Sequence, residues 1–272
     1  MKQKIKLLSA VYLLYLLLNM LSGALEGMVS DTVFALSFLL PVMLALLYIR
    51  KEESGDIKGY LYIDGEGVKI SVALAAPTLA LVAAISYVTA YALELVFGDF
   101  PRPLVPDGFA VAVLSSALLP ALAEEIMFRY LPIRVLRGVS KRGIIILSAL
   151  FFAFAHASVY QIPYALFAGG MFMLVDLMTD SILPSVILHF LNNIFSLILI
   201  FFGENTAVII SVNVIGGLLF ALSLVIFARD GKMIFEKMKE VFSKKEREEY
   251  GIYPLLFIIP AFIVACGALV LK

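Results

Sequence analysis

The chain has 272 residues, of which 62% are hydrophobic and only 15% are charged, and its 21 basic and 21 acidic residues cancel. A soluble domain has about 45–50% apolar and about 25% charged residues, so this chain has too few polar residues to cover a water-soluble globule. The composition predicts an integral membrane protein and excludes secreted, disordered and fibrous classes. The zero net charge offers no electrostatic footprint for nucleic acid, and the single cysteine, Cys266, allows no intrachain disulfide.

Nine apolar segments are candidates for membrane-spanning helices, each of which needs about 20 mostly apolar residues. In chain order they are 7–25, 32–49, 70–97, 108–133, 143–157, 162–178, 182–202, 206–228 and 252–271. The fifth and sixth are short and are joined only by residues 158–161, so they form either two shallow spans or a re-entrant pair. We therefore predict an all-α, polytopic transmembrane helix bundle of eight or nine spans, forming a single membrane domain over residues 1–272.

The distribution of basic residues predicts the orientation. If the N-terminus is cytoplasmic and nine spans alternate, nearly all Lys and Arg residues fall in cytoplasmic loops, which agrees with the positive-inside rule. One of these loops, 229–250, is polar but has apolar residues along one helical face. It is either a cytoplasmic interfacial helix lying on the membrane surface or, with equal weight, a solvated connector helix.

Two adjacent glycines, Gly169 and Gly170, lie within the sixth apolar segment. Small residues let two helix backbones approach closely inside a membrane. The pair therefore predicts a close helix contact at this point.

Ionisable residues inside a span are costly, by about 2.5–3.5 kcal/mol on insertion scales, and usually mark function or an internal ion pair. Glu124 and Glu125 lie together in the fourth segment. Adjacent helical positions differ by about 100° in direction, so the two carboxylates have different roles. Glu125 and Arg129 are four residues apart, which predicts a buried ion pair that structures the site. Glu124 has no local partner, and a carboxylate in a low-dielectric cavity is a candidate general base.

The only two histidines of the chain, His156 and His189, also lie in apolar segments. A single intramembrane histidine often bonds two helices, but two of them with none elsewhere favour a functional role. His189 and Asn193 are four residues apart and lie on one helical face. At about 1.5 Å per residue, Glu124, His156 and Asn193 lie roughly 20 Å from Arg137, Gly143 and Asp180, respectively, at the predicted cytoplasmic side. His189 lies about 14 Å from Asp180. The spacing therefore predicts one site.

The three motifs resemble those of the CAAX proteases and bacteriocin-processing enzymes, also called the Abi family. Its pattern is EExxxR, then FxxxH, then HxxxN, on successive membrane helices. In this chain the motifs begin at Glu124, Phe152 and His189, and the run Asp180–Pro184 that precedes the third also looks like the family. The resemblance covers roughly residues 110–195, within a predicted catalytic core of 108–202.

The resemblance implies an intramembrane endopeptidase, whose best-understood relatives remove the last three residues of a prenylated CAAX protein. It implies that Glu124 and His156 activate a water and that His189 and Asn193 stabilise the oxyanion, while Glu125 and Arg129 hold the site together. It implies no cofactor, and a membrane-associated protein or peptide as substrate. Because water is scarce in hydrocarbon, we expect a wet cavity among the three motif helices, open to the cytoplasm.

Three other functions compete with this one. Glu124, His156 and His189 could supply three ligands to a catalytic zinc, although the chain has no HExxH helix. A non-catalytic membrane protein, such as a bacteriocin-immunity or sequestering factor, is a second. A proton-coupled transporter is a third, since buried Glu and His also form proton relays, but the chain shows no inverted repeat.

Overall fold

The computed structural model describes residues 2–52, 60–98, 108–136, 138–243 and 253–270. Every element of regular structure in these ranges is a helix, and no strand occurs in them. The prediction of an all-α fold is confirmed. The helix α1 covers Lys2–Gly23, α2 Gly27–Glu52, α3 Gly65–Phe97, α4 Phe109–Val135, α5 Lys141–Ala155, α6 Ile162–Thr179, α7 Leu183–Phe202, α8 Thr206–Phe242 and α9 Leu255–Val270.

Each predicted apolar segment corresponds to one of these helices. Within the described ranges, six helices are long and apolar enough to cross a membrane: α1, α3, α4, α6, α7 and α8. Two shorter apolar stretches lie in α2 and α9, at Thr32–Tyr48 and Leu255–Gly267. These lengths and compositions fit an integral, multi-pass membrane protein. The count of eight or nine spans and the cytoplasmic N-terminus stay predictions, as does the single membrane domain.

The chain forms two compact units, which are described separately. The first unit comprises the described residues within Met1–Ile57, Ile126–Met173 and Lys244–Lys272. In it α1 packs against α2 and α9, and α5 packs against α9. The ring of Tyr12 lies at the centre, with ring centroids 4.9 Å from Phe128, 4.7 Å from Phe151 and 5.8 Å from Phe257. Aromatic pairs at such distances stabilise a core beyond their burial alone.

A close contact between α5 and α6 lies in the same unit. A Cβ atom added to Gly169 would lie 3.1 Å from Ala149 Cα and 3.1 Å from Phe152 Cδ1, whereas one added to Gly170 would meet only Ala149 Cβ, at 3.9 Å. The close approach predicted from the two glycines is therefore present. It leaves little room for a side chain at position 169, whereas position 170 has room for a Cβ atom.

The second unit comprises the described residues within Lys58–Glu125 and Leu174–Ser243. Helix α3 begins where Asp64 caps it, accepting a hydrogen bond from Gly67 N at 2.7 Å. It pairs with α8, since the Ser223 hydroxyl donates to the Ala73 carbonyl and Lys69 Nζ lies 3.3 Å from Asp230 Oδ1. Helix α7 packs against residues 109–125 of α4. This last contact positions the third motif.

The described part of the polar stretch 229–250 does not form a helix of its own. Its residues up to Phe242 continue α8 without a break, whereas 244–250 lie outside the described residues. A helix of 37 residues is about 55 Å long, well beyond the hydrocarbon thickness of about 30 Å. Whether this end lies on the membrane surface stays a prediction.

Candidate active site

Helix α4, which carries the EExxxR motif, is not a regular α-helix. It contains two π-helical segments, Val113–Leu118 and Ile126–Tyr130, and Glu124 and Glu125 end the α-helical stretch between them. Such π segments are rare and frequently occur at functional sites. The spacing argument for a Glu125–Arg129 ion pair assumed 3.6 residues per turn, which does not hold through Ile126–Tyr130. That ion pair stays a prediction.

Two hydroxyl groups hold the second π segment. Tyr12 Oη donates a hydrogen bond to Met127 O at 2.9 Å, and Ser148 Oγ donates one to Phe128 O at 2.5 Å. A π turn disturbs the regular ladder of backbone hydrogen bonds, and a buried carbonyl without a partner is costly. Tyr12 and Ser148, which come from α1 and α5, therefore stabilise the irregular turn that begins directly after Glu125. The sequence motifs gave no sign of either residue.

Arg129, the last residue of the first motif, is fully buried. Its guanidinium carbon lies 4.4 Å from the centroid of the Phe152 ring and 5.6 Å from that of Phe172. A desolvated guanidinium over an aromatic face gains cation–π stabilisation. The phenylalanine of the FxxxH motif therefore has a physical role, because it provides a surface for the motif arginine.

His156 lies at the C-terminal end of α5, and its Nδ1 is 2.8 Å from Phe152 O. A carbonyl oxygen can only accept, so Nδ1 carries the hydrogen of this bond. In the neutral imidazole the lone pair is then on Nε2. The second motif thus fixes the tautomer that leaves a proton acceptor at Nε2.

His189 lies between the two carboxylates of the first motif. Its Nδ1 is 2.8 Å from Glu125 Oε1, and its Nε2 is 3.9 Å from Glu124 Oε2. Glu125 is fully buried, and the exposed fractions of the His189 and Glu124 side chains are 6% and 13%. A carboxylate can only accept, so His189 Nδ1 donates to Glu125. Within the described part of the chain, Glu124 Oε2 is buried and makes no hydrogen bond.

Asn193 lies one helical turn beyond His189 on α7. Its Oδ1 accepts a hydrogen bond from the neighbouring Asn192 Nδ2 at 3.3 Å. Because this contact occupies the Asn193 oxygen, the Nδ2 group is the end of the amide that can donate to another partner. Asn192, which lies outside the motif pattern itself, therefore orients the motif asparagine.

The structure brings together Glu124, Glu125 and His189 in the second unit, where Asn193 also lies. Arg129 and His156 belong to the first unit. The Glu125–His189 bond joins residues 64 positions apart in the chain. No spacing rule in a single sequence predicts such a contact, and Arg129 was the only partner that helical periodicity offered.

Metal binding was the main chemical alternative for these side chains. Within the described ranges, no group of three or more His, Cys, Asp or Glu side chains could hold a metal ion. Zinc dependence and metal-independent hydrolysis both remain expectations from the sequence.

The chain was compared with protein families, curated proteins and solved structures. Residues 106–195 match the family model described as "Rce1-like: Type II CAAX prenyl endopeptidase Rce1-like". No curated protein and no solved structure matches the chain. The matched range contains all three motifs and ends shortly after Asn193. The match confirms, for this part of the chain, the resemblance to the CAAX protease family that the motifs indicated.

Proposed function

We propose that the protein is an intramembrane endopeptidase that removes the C-terminal tripeptide from a prenylated CAAX protein or peptide. The observation that carries the proposal is the position of His189, held by Glu125 on one ring nitrogen and facing Glu124 with the other. Side chains that are almost completely buried in this arrangement can transfer a proton. They also lie inside the range that matches a CAAX endopeptidase family.

Hydrolysis of a peptide bond requires a water that loses its proton and donors for the oxygen that becomes negative. In our proposal Glu124 accepts the proton of the attacking water. His156 shares or relays this proton through Nε2, the atom that its bond to Phe152 leaves as acceptor. No serine, cysteine or threonine belongs to the motifs, which does not favour a covalent nucleophile, and in our proposal the nucleophile is water.

The tetrahedral oxyanion is stabilised by His189 and Asn193. Asn193 donates from Nδ2, the end that Asn192 leaves as donor. His189 donates from Nε2, which requires the imidazolium form because Nδ1 already donates to Glu125. Glu125 thus orients the oxyanion donor, a role beyond the site-structuring one implied by the resemblance. Arg129, whose guanidinium packs over the Phe152 ring, has a structural role in the motif helix. In our proposal the substrate reaches the site from the cytoplasmic side of the membrane.

Incubation of the purified, detergent-solubilised protein with a farnesylated CAAX peptide tests the proposal. Mass spectrometry of the products should show the released tripeptide, and an unprenylated copy of the peptide should remain intact. Glu124→Gln and His156→Ala should each abolish cleavage in protein that still elutes as a single folded species.

Glu94→Gln is a matched control, because Glu94 is a carboxylate on an exposed position of α3. It should cleave like the unchanged protein. Cleavage by the Glu124→Gln variant at the unchanged rate would refute the mechanism. An intact peptide with the unchanged protein, together with a cellular phenotype that survives Glu124→Gln, would favour a non-catalytic role.

A further inference from the structure

Helix α7 carries His189 and Asn193, and its first turn is held by an unusual set of contacts. A helix N-terminus leaves its first N–H groups without intrahelical partners. The N-cap residue Ile182 has no side chain that could cap the helix. Each backbone N–H from Ile182 to Ser185 nevertheless has a partner, except at Pro184, which has no N–H.

Three acceptors account for these groups. Ile182 N donates to Tyr60 O at 2.9 Å, and Leu183 N donates to Ser181 Oγ at 3.2 Å. Ser185 N donates to Asp176 Oδ1 at 3.1 Å. The Ser181 hydroxyl itself donates to the same Tyr60 carbonyl, at 3.0 Å. The start of α7 is therefore fixed from outside the helix, by α6 and by the segment before α3.

Asp176 is the charged member of this set. It lies near the end of α6, is 1% exposed, and its own carbonyl accepts from Ser181 N at 3.2 Å. A carboxylate at a helix N-terminus is stabilised by the orphan N–H groups and by the helix dipole. The chain between the two helices turns sharply at Asp180, whose φ is +51°. Aspartate tolerates this left-handed conformation better than most residues.

We infer that Asp176 is a positioning residue for His189, acting through the first turn of α7. Ser185 and His189 are four residues apart, so a displacement of the anchored turn is carried to the imidazole, about 6 Å further along the same rigid helix. The imidazole must keep its 2.8 Å bond to Glu125. The Asp176 carboxylate lies in the second unit with Glu124, Glu125 and His189, so every step of this argument stays within that unit.

This inference rests on the proposed function, and two substitutions separate the position of the acceptor from the charge. Asp176→Asn keeps an oxygen acceptor at the place of Oδ1 and removes the charge. Asp176→Glu keeps the charge and moves the acceptor by one methylene. If the acceptor position matters, Asp176→Asn retains most of the kcat, and Asp176→Glu lowers it by about tenfold to 100-fold, the cost of a misplacement near 1 Å. KM for the farnesylated peptide should change little in both variants.

Hydrogen–deuterium exchange gives a readout that does not depend on activity. The amides of residues 181–186 should exchange faster in Asp176→Glu than in Asp176→Asn. Asp180→Asn is the matched control, because Asp180 is an exposed aspartate in the same turn and asparagine also tolerates positive φ. It should leave both exchange and kcat unchanged.

The outcomes distinguish this inference from the proposed function. If the unchanged protein does not cleave the peptide, the proposed function fails, and the exchange experiment still tests the anchor. If the unchanged protein cleaves and Asp176→Glu is more active than Asp176→Asn, the charge rather than the acceptor matters and the inference is overturned. Wild-type kcat in both variants would also overturn it.

Discussion

Removing the hydrogen bond between Glu125 and His189 is the most direct test of the geometry of the site. It is a charge-assisted hydrogen bond of 2.8 Å between a fully buried carboxylate and an imidazole that is 6% exposed. Hydrogen bonds to charged groups contribute about 1.5–3 kcal/mol. If that energy is needed to hold His189 as the oxyanion donor, Glu125→Ala should lower kcat by about 10- to 100-fold, at one factor of ten per 1.36 kcal/mol.

A double-mutant cycle isolates this contribution. Glu125→Ala, His189→Ala and the double variant are compared with the unchanged protein, using initial rates of cleavage of the farnesylated peptide by folded, monodisperse enzyme. Residues in direct contact show non-additive effects, so the double variant should be hardly slower than His189→Ala alone. Glu125→Gln retains an acceptor for Nδ1 and should fall between the unchanged protein and Glu125→Ala.

The reasoning would be refuted if the cleavage rate of the double variant fell by the product of the factors measured for Glu125→Ala and His189→Ala. Glu125 would then act independently of His189, and its function would lie elsewhere, such as in the ion pair with Arg129 that the sequence predicts.

Two further predictions concern the packing of the first unit, and a third concerns metal dependence. Ser148→Ala and Tyr12→Phe each remove the hydroxyl donor from a buried carbonyl of the π turn. Each should therefore lower the free energy of unfolding by about 1–3 kcal/mol, measured as a loss of thermal stability in detergent. Unchanged melting temperatures would show that the π turn does not depend on these hydroxyl groups. Gly169→Ala should reduce the yield of folded protein in size-exclusion chromatography because the added Cβ meets the α5 backbone at 3.1 Å, whereas Gly170→Ala, with its nearest contact at 3.9 Å, should not; equal yields would contradict the close approach. Cleavage should persist after incubation with a strong chelator if water is activated by side chains alone, and loss of activity that zinc restores would instead establish the metal-dependent alternative.

The sequence was sufficient for the features that depend on composition and local periodicity. Each of the apolar segments forms a helix, and the α4, α5 and α7 helices that carry the motifs lie where hydropathy placed them. Runs of apolar residues predict helices in a membrane because every backbone polar group must be paired within its own segment. Ionisable residues within such runs are expensive, so their positions in the sequence alone mark them as candidates for the site. Among them, Glu124, Glu125, Arg129, His156 and His189 are predicted from the sequence as candidates for the site, whereas Glu94 and Asp176, which also lie within apolar segments, are not.

The pairing of those residues was decided by the tertiary structure. Helical periodicity could offer Glu125 only Arg129, a neighbour in the same segment, whereas packing of α7 against α4 brings it His189. The π turn at Ile126–Tyr130 is likewise invisible in the sequence, because two of its carbonyl groups are bonded by hydroxyl donors from α1 and α5. The same is true of Asp176, whose carboxylate caps a helix that follows it in the chain. Contacts between segments depend on how helices pack, and a single sequence records helix periodicity but not helix neighbours.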